Sequence, residues 1–257
     1  MKISIVTVSY NSEKTIEQTL LSVINQNYSN VEYLVIDGGS IDKTTEIVSK
    51  YIDKGVDVFI SEPDVSLWDA MNKGIQRATG QYIAFLNSDD TYVSNSIISE
   101  VNASLVQSSE VLDLLVGWVD IVDPNNLKRV IREYRHDRIS KFSLAIGLMP
   151  AHPATFYRLS VLKEIGGFLV KRSQPAADFE LLCRLFSNNP NLSIGKISKL
   201  LVNMKNEGVS NSSWVDRFIR IEHIYKAASS NNIKTSRLFI VFKYIFKLFE
   251  YIKPIFK

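Results

Sequence analysis

The residues best suited to chemistry lie at positions 87–90, directly after an apolar run at positions 82–86. The run reads Tyr-Ile-Ala-Phe-Leu and predicts a strand that is buried on both faces, as parallel strands in α/β proteins are. Asn87, Asp89 and Asp90 then supply side-chain oxygens, the ligands that Mg²⁺ and Mn²⁺ accept. Because these ions commonly take one or two carboxylates together with substrate phosphates, the sequence predicts a metal site here. The alternative for Asp89 and Asp90 is that they cap the helix that follows.

Strand and helix units precede this site and must position it. Three further runs predict strands that are each followed by a polar turn and a helix; the strands are at residues 2–9, 31–36 and 56–60, and the helices at 13–25, 43–51 and 67–78. Repeated βα units predict a parallel, right-handed, doubly wound sheet. After residue 90 the alternation loosens, which predicts a mixed second half with helices at 94–107 and 176–186 and strands at 112–119 and 129–134.

A polar cluster follows each of the four early strands. Because the carboxyl ends of parallel strands share one edge of a sheet, and open α/β sheets bind ligands there, the clusters are expected to converge on a ligand site. For any one cluster taken alone, the alternative is an ordinary turn or helix cap. The clusters are Tyr10 with Asn11, residues 37–40, residues 62–64 and residues 87–90.

The second cluster, at residues 37–40, reads Asp-Gly-Gly-Ser. Its two glycines allow the backbone to approach a ligand closely, and the helix that follows offers free N–H groups. Neither the G-x-G-x-x-G fingerprint nor the G-x-x-x-x-G-K-[ST] phosphate loop is present. A nucleotide bound here would therefore lack a glycine cradle for its phosphates. Asp89 with a divalent cation is the group available to neutralise a diphosphate.

Length and composition exclude several classes of protein. The chain has 257 residues, of which 46% are hydrophobic, enough for one sizeable core. The single cysteine, Cys183, excludes an intramolecular disulfide and a thiolate metal site, and fits a reducing compartment. No secretory leader is evident, so a cytoplasmic location is expected. The net charge of +3 comes without the basic stripe and interleaved aromatics of a nucleic-acid binder, so no nucleic-acid partner is expected.

Five stretches, taken in order, resemble the family-2 glycosyltransferases with a GT-A fold. The resemblance covers roughly residues 1–210, and the Asp-Ala-Met-Asn-Lys-Gly stretch at 69–74 is similar to bacterial enzymes that build O-antigen and other surface polysaccharides. It implies a GT-A domain at residues 1–212, with a Rossmann-like mixed α/β sheet and helices on both faces. The five stretches are residues 6–11, 35–42, 61–64 together with 68–74, 78–83 and 87–90.

The resemblance implies a metal-dependent, inverting, hexosyltransferase-like enzyme. Such an enzyme moves a sugar from a nucleotide diphosphate donor, here expected to be a UDP-sugar, to a hydroxyl of a saccharide or lipid-linked acceptor. By the family pattern Asp89 holds Mn²⁺ or Mg²⁺, and Asn87 and Ser88 contact the ribose. Asn87 departs from the commoner aspartate, but its amide can still bond a hydroxyl. Thr7, Tyr10 and Asp37 are expected to hold the base of the nucleotide. The other residues expected in the donor site are Asn11, Asp64 and Lys73.

A catalytic base is also required, because the acceptor hydroxyl must lose its proton as the diphosphate leaves. Asp178 is similar to the family's base, although Ala177 stands where a glutamate is common. The alternative is that Asp178 only stabilises a helix N-terminus. His152 matches a histidine that the family often carries near the acceptor and the diphosphate, and its alternative is a structural hydrogen-bonding role. Residues 208–210 resemble the tail of a motif that helps to close the site.

The C-terminal region, residues 213–257, is expected to be helical and to end in a basic tail. Residues 238–252 predict an amphipathic helix with Lys243 and Lys247 on its polar face. At 15 residues it is shorter than the ~20 needed to span a bilayer, so it is expected to lie in the interface at the inner face of the cytoplasmic membrane. The alternative is that it packs on the catalytic body or on a dimer partner; the oligomeric state stays open.

Two other functions remain compatible with the sequence. The first is a non-catalytic nucleotide-sugar or polysaccharide-binding module that kept this fold and lost the base. The second is a glycoside hydrolase, which requires two carboxylates that flank one glycosidic bond and needs neither nucleotide nor metal.

Overall fold

The computed structural model describes residues 1–137, 139–170, 176–189, 191–206 and 214–244. The first part of the chain comprises β1 (Ile3–Ser9), α1 (Ile16–Ile24), β2 (Val31–Asp37), α2 (Thr44–Ser49), β3 (Val58–Ser61), α3 (Leu67–Arg77), β4 (Tyr82–Asn87), β5 (Thr91–Tyr92) and α4 (Ile97–Gln107). The remainder comprises β6 (Leu114–Asp123), β7 (Asn126–Tyr134), α5 (Lys141–Ala145), β8 (Thr155–Arg158), α6 (Leu159–Glu164), α7 (Ala177–Asn188), β9 (Ile194–Lys205), α8 (Trp214–Ser230) and α9 (Arg237–Val241). Short 3₁₀ turns lie at Ile52–Lys54 and His152–Ala154.

The described strands form one mixed sheet of nine strands, in the order β3-β2-β1-β4-β8-β6-β9-β5, with β7 paired to β6. β1 pairs in parallel with both β2 and β4, and β2 pairs in parallel with β3. β8 runs antiparallel between β4 and β6, whereas β9 runs parallel to β6. The predicted parallel first half and mixed second half are therefore confirmed.

Helices cover both faces of the sheet because its central strands are apolar on both sides. All seven residues of β1 are buried, and successive side chains point to opposite faces. Val6 and Val8 pack in the core shared with α3, α6 and α7, whereas Ile3 and Ile5 pack in the core shared with α1 and α4. Gly74 brings α3 close to β1, since a Cβ at Gly74 would lie 2.5 Å from Cγ1 of Val6.

The second half contains elements that the sequence did not predict. They include β8, β9 and α6. β8 is only four residues long, and β9 has an irregular pattern of buried and exposed positions with exposed lysines at 196 and 199. Neither strand therefore shows the period of two that identifies a half-buried strand from sequence. The predicted strand at 112–119 also continues further, to Asp123.

The C-terminal helices pack against the rest of the protein as far as residue 244. α8 packs on α7 and α9 packs on α8, with Ile240 fully buried. Lys243 was predicted on an exposed polar face, but it is buried because its side chain packs beside Gly147. Residues 245–252 of the predicted amphipathic helix, and the motif at 208–210, lie outside the described residues. Across the described ranges, no helix is both long and apolar enough to cross a membrane.

Candidate active site

The four polar clusters meet at one edge of the sheet, as predicted. Ser9 at the end of β1 is in register with Asp37 at the end of β2, and Asp37 is in register with Ser61 of β3. On the other side of β1, Val8 is in register with Asn87, the last residue of β4. The four strands therefore end at the same level, and their loops emerge side by side at the edge where open α/β sheets bind ligands.

Asp37 organises this edge from a fully buried position. Its carboxylate accepts hydrogen bonds from the hydroxyls of Ser9 at 2.9 Å and Ser61 at 2.7 Å, which lie on the two neighbouring strands. It also accepts from the backbone N–H groups of Gly39 and Ser40, and from the Ser40 hydroxyl. With five bonds made and no exposed surface, the carboxylate fixes the glycine loop and presents no oxygen to a ligand in this structure.

Thr7 and Tyr10 are the other two residues expected to contact the nucleotide base, and they differ in exposure. Thr7 is fully buried, and its hydroxyl lies 3.0 Å from the hydroxyl of Tyr33 in the core beneath the edge. Tyr10 is 63% exposed. Its Cδ2 lies 3.5 Å from the position that a Cβ of Gly38 would take, so its ring sits beside the glycine loop. Of the two, only Tyr10 has a side chain that a ligand can reach.

Asn11 joins the loop after β1 to the loop after β2. Its backbone N–H donates to the Ser40 hydroxyl at 2.8 Å, and its Oδ1 accepts from the N–H of Ile41 at 3.0 Å. The residue has a φ of +48°, a left-handed conformation that asparagine tolerates better than most residues. Asn11 therefore holds the two loops in a fixed relation.

Asp64 and Lys73 form a charged cluster between the loop after β3 and helix α3. The Lys73 ammonium pairs with Asp64 and also with Glu62, at 2.9 Å. Oδ2 of Asp64 lies 3.0 Å from the place of a Gly38 Cβ, so the absence of a side chain at Gly38 lets this carboxylate reach the glycine loop. Burial raises the pKa of Asp64 despite the opposing effect of Lys73. Burial alone would lower the pKa of Lys73, but the two carboxylates outweigh it and raise that pKa.

The residues after β4 divide into buried and accessible groups. Asp90 is buried, and burial together with the charge of Asp89 raises its pKa well above the usual range, although Asn87 opposes the shift. Asn87 donates from Nδ2 to Oδ2 of Asp90 at 3.1 Å, while its own Oδ1 is buried with no hydrogen-bond partner among the described residues. Ser88 shares a 2.7 Å hydrogen bond with the hydroxyl of Ser12. Asp90 is thus structural, whereas Asp89 is partly exposed at this edge.

The edge fits a divalent cation that is held only partly by protein. In the part of the chain that the structure describes, no three His, Cys, Asp or Glu side chains converge into a metal-binding group. Magnesium and manganese do not require one, because they keep waters and substrate phosphates as ligands. Asp89 supplies a carboxylate, and the orphaned Oδ1 of Asn87 is a buried acceptor two residues away. These donors suit a cation or a ligand hydroxyl, and neither suits an anion.

Asp178 lies in the first turn of α7, where its carboxylate accepts from the N–H of Phe179 at 2.8 Å. Burial raises the pKa of Asp178. The backbone hydrogen bonds and the charges of Arg220 and Lys243 oppose that shift without cancelling it. Both interpretations of Asp178 therefore have a structural basis, since it bonds the helix N-terminus and is also a partly exposed carboxylate whose pKa is raised.

His152 and Tyr157 connect this region to β4. Nδ1 of His152 lies 3.3 Å from the Tyr157 hydroxyl, and the negative charge of Asp178 contributes to the raised pKa of Tyr157, after burial. The imidazole stacks on the ring of Phe85 in β4, with 5.2 Å between centroids. Burial lowers the pKa of His152 to about 4, so the imidazole is neutral at physiological pH. Within the described ranges its Nε2 has no hydrogen-bond partner.

Several residues shape the site without having been singled out from sequence. Asn72 donates from Nδ2 to the carbonyl of Phe168 and accepts the Phe168 N–H at Oδ1, both at 2.8 Å, which fixes the turn at Gly166 and Gly167 beside α3. The ring of Trp68 stacks on Phe168 at 5.3 Å. In the sequence, Asn72 and Trp68 each lie next to a charged residue of the stretch at 68–74. That proximity is the sequence signal from which their place in the site could have been predicted.

Comparison with known proteins gives a consistent result. The sequence model described as Glycosyl transferase family 2 matches residues 4–166. The chain is 31% identical over 125 residues to the Escherichia coli UDP-Glc:alpha-D-GlcNAc-diphosphoundecaprenol beta-1,3-glucosyltransferase WfgD, which is 49% of this chain and 48% of that protein. The aligned part thus spans about half the length of this relative.

Solved structures extend the likeness to nearly the whole chain. S. aureus TarS 1–349 in complex with UDP-GlcNAc superposes with a TM-score of 0.67 at 20% identity, covering 93% of this chain and 69% of that one. The mannosyltransferase PcManGT from Pyrobaculum calidifontis, in complex with GDP-Man and Mn²⁺, gives a TM-score of 0.63 at 15% identity, covering 91% and 65%. At these identities the superpositions show a shared fold, the GT-A fold that the sequence predicted.

Proposed function

The chain belongs to glycosyl transferase family 2, and from this premise we propose that it transfers a sugar from a nucleotide diphosphate donor to a hydroxyl of a saccharide or lipid-linked acceptor. The pathway is the synthesis of a bacterial surface polysaccharide such as O-antigen or capsule. The observation that carries the proposal is the alignment of four polar strand ends at one edge of the sheet, with Asp89 on that edge. The E. coli relative, whose name describes a UDP-Glc-dependent enzyme, supports a UDP-sugar as donor.

The donor nucleotide is assigned to the loops after β1, β2 and β4. The exposed Tyr10 ring offers a surface on which a base can stack, beside the backbone of the glycine loop. Asp37 and Asn11 act by holding that loop in place, and Thr7 acts only by supporting the strand beneath. Oδ1 of Asn87, buried and unpaired among the described residues, suits a ribose hydroxyl that donates a hydrogen bond, with Ser88 next to it.

The leaving-group side of the site is assigned to Asp89. It would hold Mn²⁺ or Mg²⁺, and the bound ion would supply positive charge to the two phosphates of the donor. The Lys73 ammonium, already paired with Asp64 and Glu62, fixes the neighbouring loop at a defined position. Asp64 and Lys73 thus belong to the donor site as a loop-ordering pair.

The acceptor side is assigned to Asp178 as general base. The acceptor oxygen forms a bond to the anomeric carbon as the bond from that carbon to the diphosphate oxygen breaks, which inverts the configuration. The proton of the acceptor hydroxyl passes to the Asp178 carboxylate. Burial raises the pKa of this carboxylate, which makes it a stronger base than an ordinary aspartate.

We also assign the protein to the inner face of the cytoplasmic membrane as a peripheral protein. The support is the basic tail beyond residue 234 together with exposed apolar side chains on α9 and α5, of which Leu238 is 75% exposed and Phe142 66% exposed. An amphipathic, basic surface of this kind binds anionic lipids. A lipid-linked acceptor would be presented at the same surface.

Donor binding and turnover test the function directly. Thermal unfolding of the full chain is recorded with UDP, GDP or dTDP, each with and without Mn²⁺, and release of the diphosphate from the matching sugars is then followed. UDP with Mn²⁺ is expected to stabilise the protein most, and a UDP-sugar to be turned over. Equal shifts for the three nucleotides would contradict the uridine assignment. Nucleotide binding without turnover, across saccharide and polyprenyl-diphosphate-linked acceptors, would instead support a non-catalytic binding module.

A further inference from the structure

The imidazole of His152 is enclosed by aromatic rings and is only 8% exposed. It stacks on Phe85 of β4, with 5.2 Å between ring centroids and 16° between ring planes. The rings of Phe168 and Trp68 meet it in T-shaped arrangements, at 5.6 and 6.4 Å. Packing therefore fixes the plane of the imidazole, and its two nitrogen atoms must find hydrogen-bond partners in the directions that this plane allows.

The Tyr157 hydroxyl is the partner of one of these nitrogens, and it lies 3.3 Å from Nδ1. Tyr157 is 1% exposed, and a phenol has a single O–H whose burial without an acceptor is costly. The Thr155 hydroxyl also interacts with the phenol, but it donates to the carbonyl of Ala151 at 2.9 Å, so towards the phenol it can only accept. An imidazole nitrogen is the stronger acceptor of the two because it is far more basic than an alcohol. The phenol therefore donates to Nδ1 of His152.

This hydrogen bond determines the tautomer of the imidazole. Burial lowers the pKa of His152 to about 4, so the ring is neutral at physiological pH and carries one hydrogen on nitrogen. Because Nδ1 accepts a hydrogen bond, that hydrogen is on Nε2. Nε2 is buried and has no hydrogen-bond partner among the described residues. It is therefore an N–H group without an acceptor.

This N–H group lies beside the end of β4, where the nucleotide is assigned. Phe85, on which the imidazole stacks, and Asn87 are alternate residues of β4, so their side chains point to the same face of the sheet. Two such positions are about 7 Å apart along a strand. Oδ1 of Asn87, like Nε2 of His152, is buried without a partner in the described part of the chain. One face of the sheet thus offers both an acceptor and an N–H to a bound molecule.

We propose that Tyr157 is a positioning residue for His152: its hydroxyl holds the imidazole in the tautomer with hydrogen on Nε2, and this neutral N–H donates to an oxygen of the bound nucleotide sugar. The oxygen can belong to a phosphoryl group or to a hydroxyl, since both accept hydrogen bonds. The contact with the nucleotide sugar rests on the proposed function, whereas the tautomer does not.

This tautomer excludes two other roles for His152. A ring nitrogen that carries hydrogen has no free lone pair, so Nε2 can neither take the proton of the acceptor hydroxyl nor coordinate a metal ion. Nδ1, the other nitrogen, is occupied by the Tyr157 hydroxyl. The general base and the metal ligand must therefore be other side chains, which is consistent with the roles proposed for Asp178 and Asp89.

The tautomer is tested by ¹⁵N NMR of the full chain, labelled in its three histidines. Ring nitrogens with and without hydrogen have well-separated ¹⁵N shifts, and the His152 signals are identified by their loss in His152→Gln. The wild type is expected to have hydrogen on Nε2. Tyr157→Phe keeps the buried ring and removes the O–H, so the ratio of the two tautomers should fall by about two- to tenfold, the factor for the net contribution of one hydrogen bond.

Tyr82→Phe is the matched control. Its hydroxyl belongs to another buried phenol of the same sheet and donates to the carbonyl of Leu112 at 2.7 Å, and Tyr82 lies at the opposite end of β4 from Asn87. The tautomer of His152 should not change in this variant. Hydrogen on Nδ1 in the wild type, the result expected if the phenol donates to Thr155, would overturn the inference. A tautomer ratio in Tyr157→Phe equal to that of the wild type would overturn it as well.

The contact with the nucleotide sugar is tested on the same signals with UDP and then with UDP-Glc. Each is added with Mg²⁺, which does not broaden the spectra as Mn²⁺ does. The signal of the Nε2 hydrogen is expected to move downfield on binding. A shift with UDP assigns the contact to a phosphate or ribose oxygen, and a shift with UDP-Glc alone assigns it to the transferred sugar.

Two outcomes would remove this contact. If both ligands bind and the signal stays in place, the N–H faces an aromatic ring such as that of Phe168, and His152 does not contact the nucleotide sugar. If neither ligand binds, the UDP-sugar assignment of the proposed function fails and the contact fails with it. The tautomer and the role of Tyr157 are decided on the free protein in either case.

Discussion

The side-chain amide of Asn87 donates to Oδ2 of Asp90 at 3.1 Å across the end of β4. This bond fixes the direction of the amide and leaves Oδ1 of Asn87 buried without a hydrogen-bond partner among the described residues. A buried acceptor left unpaired is costly, so a ligand that donates to it gains more than it would at an exposed oxygen. The relation is the basis on which Asn87 is proposed to accept a hydrogen bond from a ribose hydroxyl.

We expect Asn87→Ala to weaken the binding of UDP in the presence of Mn²⁺ by about 0.5–1.5 kcal/mol, the contribution of one hydrogen bond. Isothermal titration calorimetry measures the difference. Asn95→Ala is the matched control, because Asn95 is exposed beyond β5 and its substitution should leave the affinity unchanged. Equal affinities for wild type and Asn87→Ala would exclude a ribose contact at this oxygen.

Asp89→Asn is expected to remove the part of UDP binding that depends on metal. In the wild type the thermal stabilisation by UDP should increase with Mn²⁺ and return to the metal-free value on addition of a chelator; in the variant Mn²⁺ should make no difference. Turnover should fall by about 10²-fold or more, because several kcal/mol of charge stabilisation on the leaving group is lost. Asp53→Asn, at an exposed position after α2, controls for the charge change. A metal response that survives in Asp89→Asn would refute the ligand assignment.

Asp178→Asn is expected to lower kcat by about 10²- to 10⁴-fold and to leave UDP affinity unchanged, because a general base acts on the acceptor and has no contact with the nucleotide. In the wild type, burial raises the pKa of Asp178, so activity should increase with pH through a midpoint above the ordinary range of an aspartate. Steady-state rates measured across pH test both statements. If Asp178→Asn transferred sugar at the wild-type rate while Asp89→Asn lost transfer, the protein would be an enzyme but Asp178 would not be its base.

Glu32 provides a test of stability far from the site. Burial alone would raise its pKa, but hydrogen bonds from Lys2, Ser4 and Thr79 outweigh burial and lower the pKa to about 2 from its ordinary value of 4.5. The Lys2 ammonium lies at 2.7 Å, the Ser4 hydroxyl at 2.6 Å and the Thr79 N–H at 2.8 Å. A depressed carboxyl pKa contributes stability that is present above 4.5 and is lost as the pH falls towards about 2.

Glu32→Gln should therefore lower the free energy of unfolding at pH 7 by about 1.5–3 kcal/mol, the range for hydrogen bonds to a charged group. Urea titrations at a series of pH values should show that the difference from wild type narrows between pH 4.5 and 2. Glu46→Gln, which breaks an exposed ion pair with Lys50, should have no measurable effect. A difference for Glu32→Gln that stays constant over this range would mean that the charge of Glu32 is not what stabilises the fold.

The four parallel strands and their converging loops could be predicted from the sequence because each strand and the loop after it show a local pattern of apolar and polar residues. A continuous apolar run such as β1 indicates a strand buried on both faces, and the polar residues after it must lie at the carboxyl edge. The roles of Thr7 and Asp37 could not be read in this way. Their burial depends on partners in neighbouring strands, Tyr33 for Thr7 and Ser61 for Asp37, which only the register of the sheet brings into contact.

Lys243 shows the same limit for the C-terminal tail. Helical periodicity places it on the polar face, where a lysine is normally solvated. Its burial depends on a contact with Gly147, nearly one hundred positions earlier, at a glycine with a φ of +75°. A tertiary contact of this kind cannot be predicted from a local sequence pattern. It also decides which side chains near the end of the described chain stay exposed.

The surface that does remain free leads to the last prediction. Leu238 and Phe242 are 75% and 49% exposed, and the ring of Phe239 lies 6.0 Å from that of Phe142 and 6.4 Å from that of Phe242. Phe142, Phe239 and Phe242 thus form an apolar cluster between α5 and the end of α9, and Leu238 is exposed on α9. We expect the double variant Leu238→Ser, Phe242→Ser to lower co-sedimentation with phosphatidylglycerol-containing vesicles by at least about tenfold, because it removes two large apolar groups from the interface.

The full chain is needed for this measurement, since a truncation at residue 233 would also remove Ile240 and Lys243 from the core. The matched control is Val106→Ser, Val111→Ser, which removes two exposed apolar groups at the end of α4 and in the segment before β6. The control is expected to sediment like the wild type, and raising the salt concentration should weaken binding of both, because screening reduces the attraction between the basic tail and anionic lipid. Equal sedimentation of the wild type and the Leu238 and Phe242 double variant would show that these side chains do not contact the membrane.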